Sequence, residues 1–387
     1  MAESILPSPG PHPLKARDEQ EKPPSHLGEV ETIRNGSSDP ERNEDTHRGF
    51  KPRHSQMIAI GGAIGTSLFL GTAQVLRIGG PLFLLISYGV LSILIYCIVT
   101  GIAEIATYLP VPGGTMAYYG HKYVSRSMGF AMGYLYWYSL GILIPYEFVA
   151  STLLINYWGT AVSGAVWITI IYVIIVNALI LLSAITAANA FLYSASRNLY
   201  SLAKAGNAPA IFKRCNRYGL PYYAVLITAS LGCLAYLSLS NSSLTVFNWL
   251  INLTNTSGYI SWICCGIIYV RYRKAITHYK LESPYRSRIQ PWGMYFGVIV
   301  SIILLLINGF TVFFPSQWSV GDFFTAYIGI PAFLLIYFGH RLCHRGDVWV
   351  RNPEDVDMYE GMDEVLAAER PPPVRGNITR RLWALVE

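Results

Sequence analysis

Apolar residues in this chain are gathered into long runs, and several of those runs reach the ~20 residues that a helix needs to cross a bilayer. Eight helical spans can be laid down, at 56–76, 81–109, 127–157, 165–202, 221–240, 244–270, 290–314 and 322–340, each bounded by Gly, Pro or charge. The pattern predicts an all-α, polytopic membrane protein. Residues 1–54 mix Pro, Ser, Gly and both signs of charge and are expected to form a disordered cytosolic tail. They hold no apolar stretch followed by a cleavage site, so the first span is expected to serve as its own insertion signal. Residues 341–387 are acidic and Pro-containing, with Asp347, Glu354, Asp355 and Asp357 ahead of Met358, and are expected to form a cytosolic C-terminal tail around the membrane domain 55–340.

Basic residues are retained on the cytoplasmic side of a membrane, which gives an independent test of the spans. One side collects Arg48, Lys51 and Arg53, then Lys122 and Arg126, then Arg197, Lys204, Lys213, Arg214 and Arg217. It continues with Arg271, Arg273, Lys274, Lys280, Arg286 and Arg288 and ends with Arg341 and Arg345. The other side has Arg77 alone. A missed or invented span would break this alternation, so an even span count and two cytosolic termini are expected.

Composition narrows the class further. Of the 387 residues 52% are hydrophobic and 13% charged, against a charged share of about 25% in soluble domains. The net charge of +6 is spread over loops and points to no nucleic-acid partner. Six cysteines lie in apolar runs or in segments assigned to the cytosol, which gives no extracellular disulfide framework, and no CxxC pattern suggests a metal. The chain has no H-E-x-x-H, no paired intramembrane Asp and no clustered His, which argues against an intramembrane enzyme, and no cofactor or metal is expected.

Four features carry candidate chemistry. The first span opens with Gly61, Gly62, Ala63, Ile64, Gly65 and Thr66, and each Gly costs roughly 1 kcal/mol relative to Ala inside a helix. A helix broken there frees N–H groups that suit a carboxylate and C=O groups that suit an ammonium, so a zwitterionic amino acid would satisfy both. The other reading is close helix packing through Gly61 and Gly65. Glu147, just after Pro145, is a carboxylate deep in a predicted span, suited either to carry a proton or to sit neutral against a carbonyl freed by the proline. Asn248, Asn252, Asn255 and Tyr259 share one helical face, as substrate contacts or as interhelical hydrogen bonds. Glu104, near the end of the second span, is either a gate contact with a basic residue such as Arg197 or a solvated helix end.

Together the motifs resemble the fungal amino acid permeases, the yeast amino acid transporter group of the amino acid–polyamine–cation superfamily. The stretches that carry the resemblance begin with "MIAIGGAIGTSLFLG", "GPLFLLISY", "AEIATYLPVPGG" and "GFAMGYLYWYSLGILIPYEFVASTLLINYW". They continue in family order with "SAITAANAFLYSASRNLYSLAKAGNAP", "GLPYYAVLIT", "VFNWLINLTNTSGYISW" and "SPYRSRIQPWG". The resemblance implies a proton-coupled importer in the plasma membrane, with twelve helices, an inverted repeat of the LeuT-like kind, and amino acid and protons as its partners. It would assign Gly61 to Thr66 to the substrate and match Glu147 to the acid of helix three. It would place Asn189 and Arg197 in the helix-eight motif and Asn248 in that of helix ten, with Asn189 and Asn248 as supporting polar positions. Glu104 and Arg197 stay gate candidates on the depth of Glu104 alone.

Two departures stand out. Ser67 occupies a position where relatives commonly have glycine. "VWITIIYVIIV" resembles the start of family helix four and "NALILLSAITAANA" resembles helix eight, so a deletion is expected near Val176–Asn177. About eight helices would then remain. Two functions follow, an amino acid transporter or an inactive or interaction-only membrane protein derived from a permease by splicing, deletion or a faulty gene model.

Overall fold

Hydrocarbon offers a peptide group no hydrogen-bond partner, so an apolar run that crosses it must close its own backbone bonds. The described runs do so as helices. The computed structural model describes residues 67–110, 115–156, 166–216, 219–240, 242–315, 318–344 and 346–360, with side chains between 154 and 181 left aside. All of these lie in the unit Arg42–Glu387. The helices are α1 Ser67–Tyr108, α2 Met116–Tyr123, α3 Arg126–Asn156, α4 Val166–Lys204, α5 Tyr222–Ser230, α6 Ser243–His278, α7 Trp292–Ile307, α8 Val320–Tyr327 and α9 Gly329–Cys343. No strand occurs among the described residues.

The helices follow the apolar runs, with instructive differences. The end of the first expected span and all of the second join in α1, broken at Gly80 (φ 74°, ψ 179°) ahead of Pro81. Only glycine adopts that backbone without strain, and proline cannot continue the helical ladder, so the two spans meet there. The 39-residue α4 is helical throughout, roughly 58 Å at 1.5 Å per residue, and its backbone passes through Val176–Asn177 without a break. α5 tightens into 3₁₀ turns over Leu231–Leu239, and α6 runs beyond its expected end to His278. The last span bends by 45° between α8 and α9. By length and apolar composition, two of the described helical stretches, Leu70–Tyr108 and Tyr222–Leu239, can cross a membrane, and the bent α8–α9 pair makes a third.

α3 runs through the middle of the fold, packed against α4, α6, α2 and the turns after α5, while α6 also meets α7 and α8. The larger core cluster joins Ile105 of α1, Tyr123 of α2, Met128 of α3, Ile268, Tyr269 and Tyr272 of α6 and Met294 of α7. α1 buries Leu94, Ile98 and Ile105 while Leu82, Leu85, Ile93 and Val99 are exposed, an apolar outer coat that fits hydrocarbon rather than water. α2 and α3 touch through bare backbone. A Cβ on Gly129 would stand 2.8 Å from the Ala117 carbonyl oxygen and 2.9 Å from the His121 nitrogen.

Residues 346–360 fold back over one end of the helices instead of trailing away. Arg351 N–H donates to the Val124 carbonyl at 2.8 Å, the Arg271 guanidinium donates to the Arg351 carbonyl, and Tyr279 Oη donates to the Glu354 carbonyl at 2.8 Å. Val356 and Met358 are each 2% exposed within the larger core. Asp347 anchors this strap, accepting from the Ser127 amide at 2.9 Å and the Ser127 hydroxyl at 2.7 Å in the first turn of α3. The expected boundary at 340 therefore does not coincide with the end of the packed structure; residues 1–54 and 361–387 lie outside the described residues.

Two outcomes test this packing. Gly129→Ala is expected to cost about 1–3 kcal/mol of stability in detergent unfolding, because backbone cannot yield as a side-chain tip can. Gly89→Ala, with nothing within 4 Å of its Cβ position inside α1, is expected to be neutral or mildly stabilising. Partial burial pushes the Asp347 carboxyl upward, but bonds from the Ser127 hydroxyl and the Ser127 and Arg126 amides, with the charge of Arg341, hold it below the ordinary aspartate range. A carboxyl lowered in the folded state contributes fully above its unfolded value and loses that contribution as pH falls through its folded one. Hydrogen-exchange protection factors at the Arg351 and Ser127 amides, corrected for the intrinsic rate, are thus expected to hold at pH 5 and to fall below about pH 4, and Asp347→Asn is expected to lower them at neutral pH.

Candidate functional site

The glycine-rich opening, Gly61 to Thr66, lies outside the described residues. Glu147 does not. It sits in α3 two residues after Pro145 and is 1% exposed. Proline contributes no N–H to the ladder at that turn, while Ser151 Oγ donates to the Glu147 carbonyl at 2.8 Å. Its chain neighbour Tyr146 stacks on Phe247 of α6 with centroids 4.9 Å apart, in an apolar cluster with Ile142, Val149, Ala150, Val246 and Leu250. An ionisable group so deeply buried in an apolar helix is costly to place there.

The polar positions assigned to α4 and α6 face another way. Asn189 and Asn248 are both exposed, and Asn252, Asn255 and Tyr259 are half-buried. The interhelical bonds of α6 at this level come instead from Thr256, which donates to the Ala326 carbonyl at 2.7 Å and accepts from Asn308 Nδ2 at 3.0 Å. Tyr259 packs edge-on against Trp262.

Glu104 is fully buried and is the centre of a latch. Its Oε2 accepts from Tyr269 Oη at 2.7 Å and lies 3.6 Å from Arg273 Nε, and its Oε1 accepts from the Ser287 amide at 2.9 Å. Tyr272 Oη donates to its backbone carbonyl at 3.1 Å. Gln290 reinforces the same junction, donating to the Cys97 carbonyl at 2.7 Å and to Thr100 Oγ1 at 3.0 Å. The loop between α6 and α7 is thereby tied to α1.

Of the two expectations for Glu104, the solvated helix end is corrected, and the contact with a basic residue is made by a different partner. Its helix end is not solvated, and its cation is Arg273, whereas Arg197 lies over the ring of Tyr193 on its own helix, 5.3 Å from the centroid. The physical reason is the extra length of α6. By continuing past residue 270 it carries Tyr272 and Arg273, with Tyr269 just before them, alongside α1. Individually Arg273, Ser287 and Gln290 were missed as partners, although the polar run "SPYRSRIQPWG" between two apolar spans was the available signal.

These helices and buried carboxylates define an integral membrane protein of the polytopic helical class. The amino acid permease family matches residues 54–176 and 173–348, and this chain belongs to that family. The chain is 29% identical to a proline-specific permease of Emericella nidulans, over 87% of this chain and 94% of that protein. It is 27% identical to a probable proline-specific permease of Schizosaccharomyces pombe, over 83% and 90%, and 25% identical to a lysine/arginine permease of Candida albicans, over 88% and 90%. The first alignment spans 516 positions, more than the 387 residues here, so that relative carries a long stretch for which this chain has no counterpart. The two family segments meet at residues 173–176, beside the expected join. No solved structure matches the chain.

Removing one partner of a buried ion pair typically costs about 3–5 kcal/mol, because the other charge is left without compensation. Glu104→Ala is expected to fall in that range in thermal or denaturant unfolding, and Glu104→Gln, which keeps an acceptor for Tyr269, is expected to lose less.

Proposed function

We propose that this chain serves amino acid transport across a membrane, with inward movement coupled to a proton at Glu147. The observation that carries the reading is a carboxylate 1% exposed in the body of an apolar helix, in a chain of the amino acid permease family. An ionisable group costs too much in such a place to be there without use or a firm structural partner. The substrate would be held by peptide groups of a helix broken at Gly61 to Thr66, a geometry that suits the two charges of an amino acid. Proline and basic amino acids are the first substrates to test, since they give the permeases named above their names. The plasma membrane, with both termini in the cytosol, is the location that fits the distribution of Lys and Arg.

A second reading rests on separate observations. The first relative carries a long stretch that this chain lacks, and Asn189 and Asn248 are exposed on α4 and α6. On that reading about eight spans of a twelve-helix, LeuT-like scaffold remain, and the chain is inactive by itself or pairs with another membrane protein.

Uptake of labelled proline and lysine by permease-deficient cells expressing this chain separates the two readings. The transporter reading expects uptake above vector, stimulated at acidic external pH, with at least about tenfold loss and no pH stimulation in Glu147→Gln. Uptake seen only after a segment from a full-length relative is inserted between Val176 and Asn177 would establish the second reading.

A further inference from the structure

The loop that closes on Glu104 leaves a hollow on its other side. This cleft has a volume of about 980 Å³, and Arg273, Lys274, His278, Lys280 and Arg286 line it against a single carboxylate, Glu282. Arg273 is engaged by Glu104. Lys274, Lys280 and Arg286 are exposed, and among the described residues none of the three has an ion-pair or side-chain hydrogen-bond partner. Three cations thus converge on one concave space that holds a single carboxylate, Glu282, which pairs with none of them. Ile276, Leu281 and Pro291 give the same cleft an apolar wall.

Lys280 adds an independent observation. It is the one non-glycine residue with positive φ (52°) among the described residues, at the turn that ends α6. There Leu281 N–H closes back on the Ile276 carbonyl at 3.1 Å, a helix ending that favours glycine. A lysine kept in a glycine position suggests that its side chain has a use, because the backbone alone would prefer its absence.

The cleft also adjoins the start of an apolar helix. α7 begins beside it with Trp292, 78% exposed, edge-on to Tyr295, and such aromatic pairs at a helix end mark the membrane interface. Clustered Lys and Arg at that level attract anionic lipids of the cytoplasmic leaflet. We propose that this cleft binds the phosphate-bearing headgroup of an anionic phospholipid of the phosphoinositide class, held by Lys274, Lys280 and Arg286. The site is separate from the transport reading and stands whether or not the chain moves amino acids.

Native mass spectrometry of the full chain in detergent tests it with three probes: dioctanoyl phosphatidylinositol 4,5-bisphosphate, dioctanoyl phosphatidylcholine, and the soluble headgroup inositol 1,4,5-trisphosphate. The chain is expected to bind the phosphoinositide in preference to phosphatidylcholine, with affinity falling about fivefold for each cation removed. Lys280→Gly is the decisive single variant, since it relieves the backbone and should melt no lower than the parent while binding more weakly. Lys274→Gln with Arg286→Gln should compound the loss. Binding of the soluble headgroup as tight as that of the lipid, with the same sensitivity to Lys280→Gly, would support the phosphate site and identify free polyphosphate as its source. Equal binding by the parent and Lys280→Gly, or no preference over phosphatidylcholine, would overturn the proposal.

Discussion

A carboxylate sealed from water must find both counter-charge and donors inside the protein, and Glu104 finds them on two segments distant from it in sequence. Tyr269 and Arg273 come from α6, and the Ser287 amide comes from the loop leading to α7. The low-dielectric surroundings that make an unpaired charge so costly also make this arrangement hard to replace by any other. One end of the bundle is organised by that requirement. Gln290 extends it to Cys97 and Thr100, and Tyr272 extends it to the backbone of α1.

The strap formed by residues 346–360 depends on the same end of the bundle. Its apolar residues Val356 and Met358 enter the cluster that contains Tyr269 and Tyr272, while its backbone is held by Arg271 of α6, by Tyr279 just past the end of that helix and by Val124 before α3. Ser127 bridges the strap to α9, since its hydroxyl donates to Asp347 and also lies 3.0 Å from His340 Nδ1. Serine, histidine and aspartate meet here without the geometry of a nucleophile activated by an oriented base. The carboxylate binds the serine rather than the imidazole, so the cluster acts as a fastening. The resulting end is tightly cross-linked by polar bonds, whereas Asn189 and Asn248 elsewhere on α4 and α6 are exposed. In a bilayer, polar amides are retained where protein or water covers them, and this contrast between a closed end and an uncovered flank bears on any account of how the chain works.

Hydropathy alone was enough to place the helical runs, because the cost of exposing peptide groups and apolar side chains to the wrong solvent is a local property of each segment. The same argument anticipated a break ahead of Pro81 and marked Glu147 as a costly residue in an apolar run. Family membership was likewise legible, since motifs such as "SAITAANAFLYSASRNLYSLAKAGNAP" keep their order along the chain. What local properties could not reveal was which charge meets which. Arg197 and Arg273 are equivalent by residue type and by their place in basic loops, and only the length of α6 and the return of the following loop decide that Glu104 meets Arg273. The burial of Val356 and Met358, the 45° bend between α8 and α9 and the convergence of Lys274, Lys280 and Arg286 on one cleft are decisions of the same kind. They depend on pairs of residues brought together from far along the chain, and hydropathy read one segment at a time carries no information about pairs.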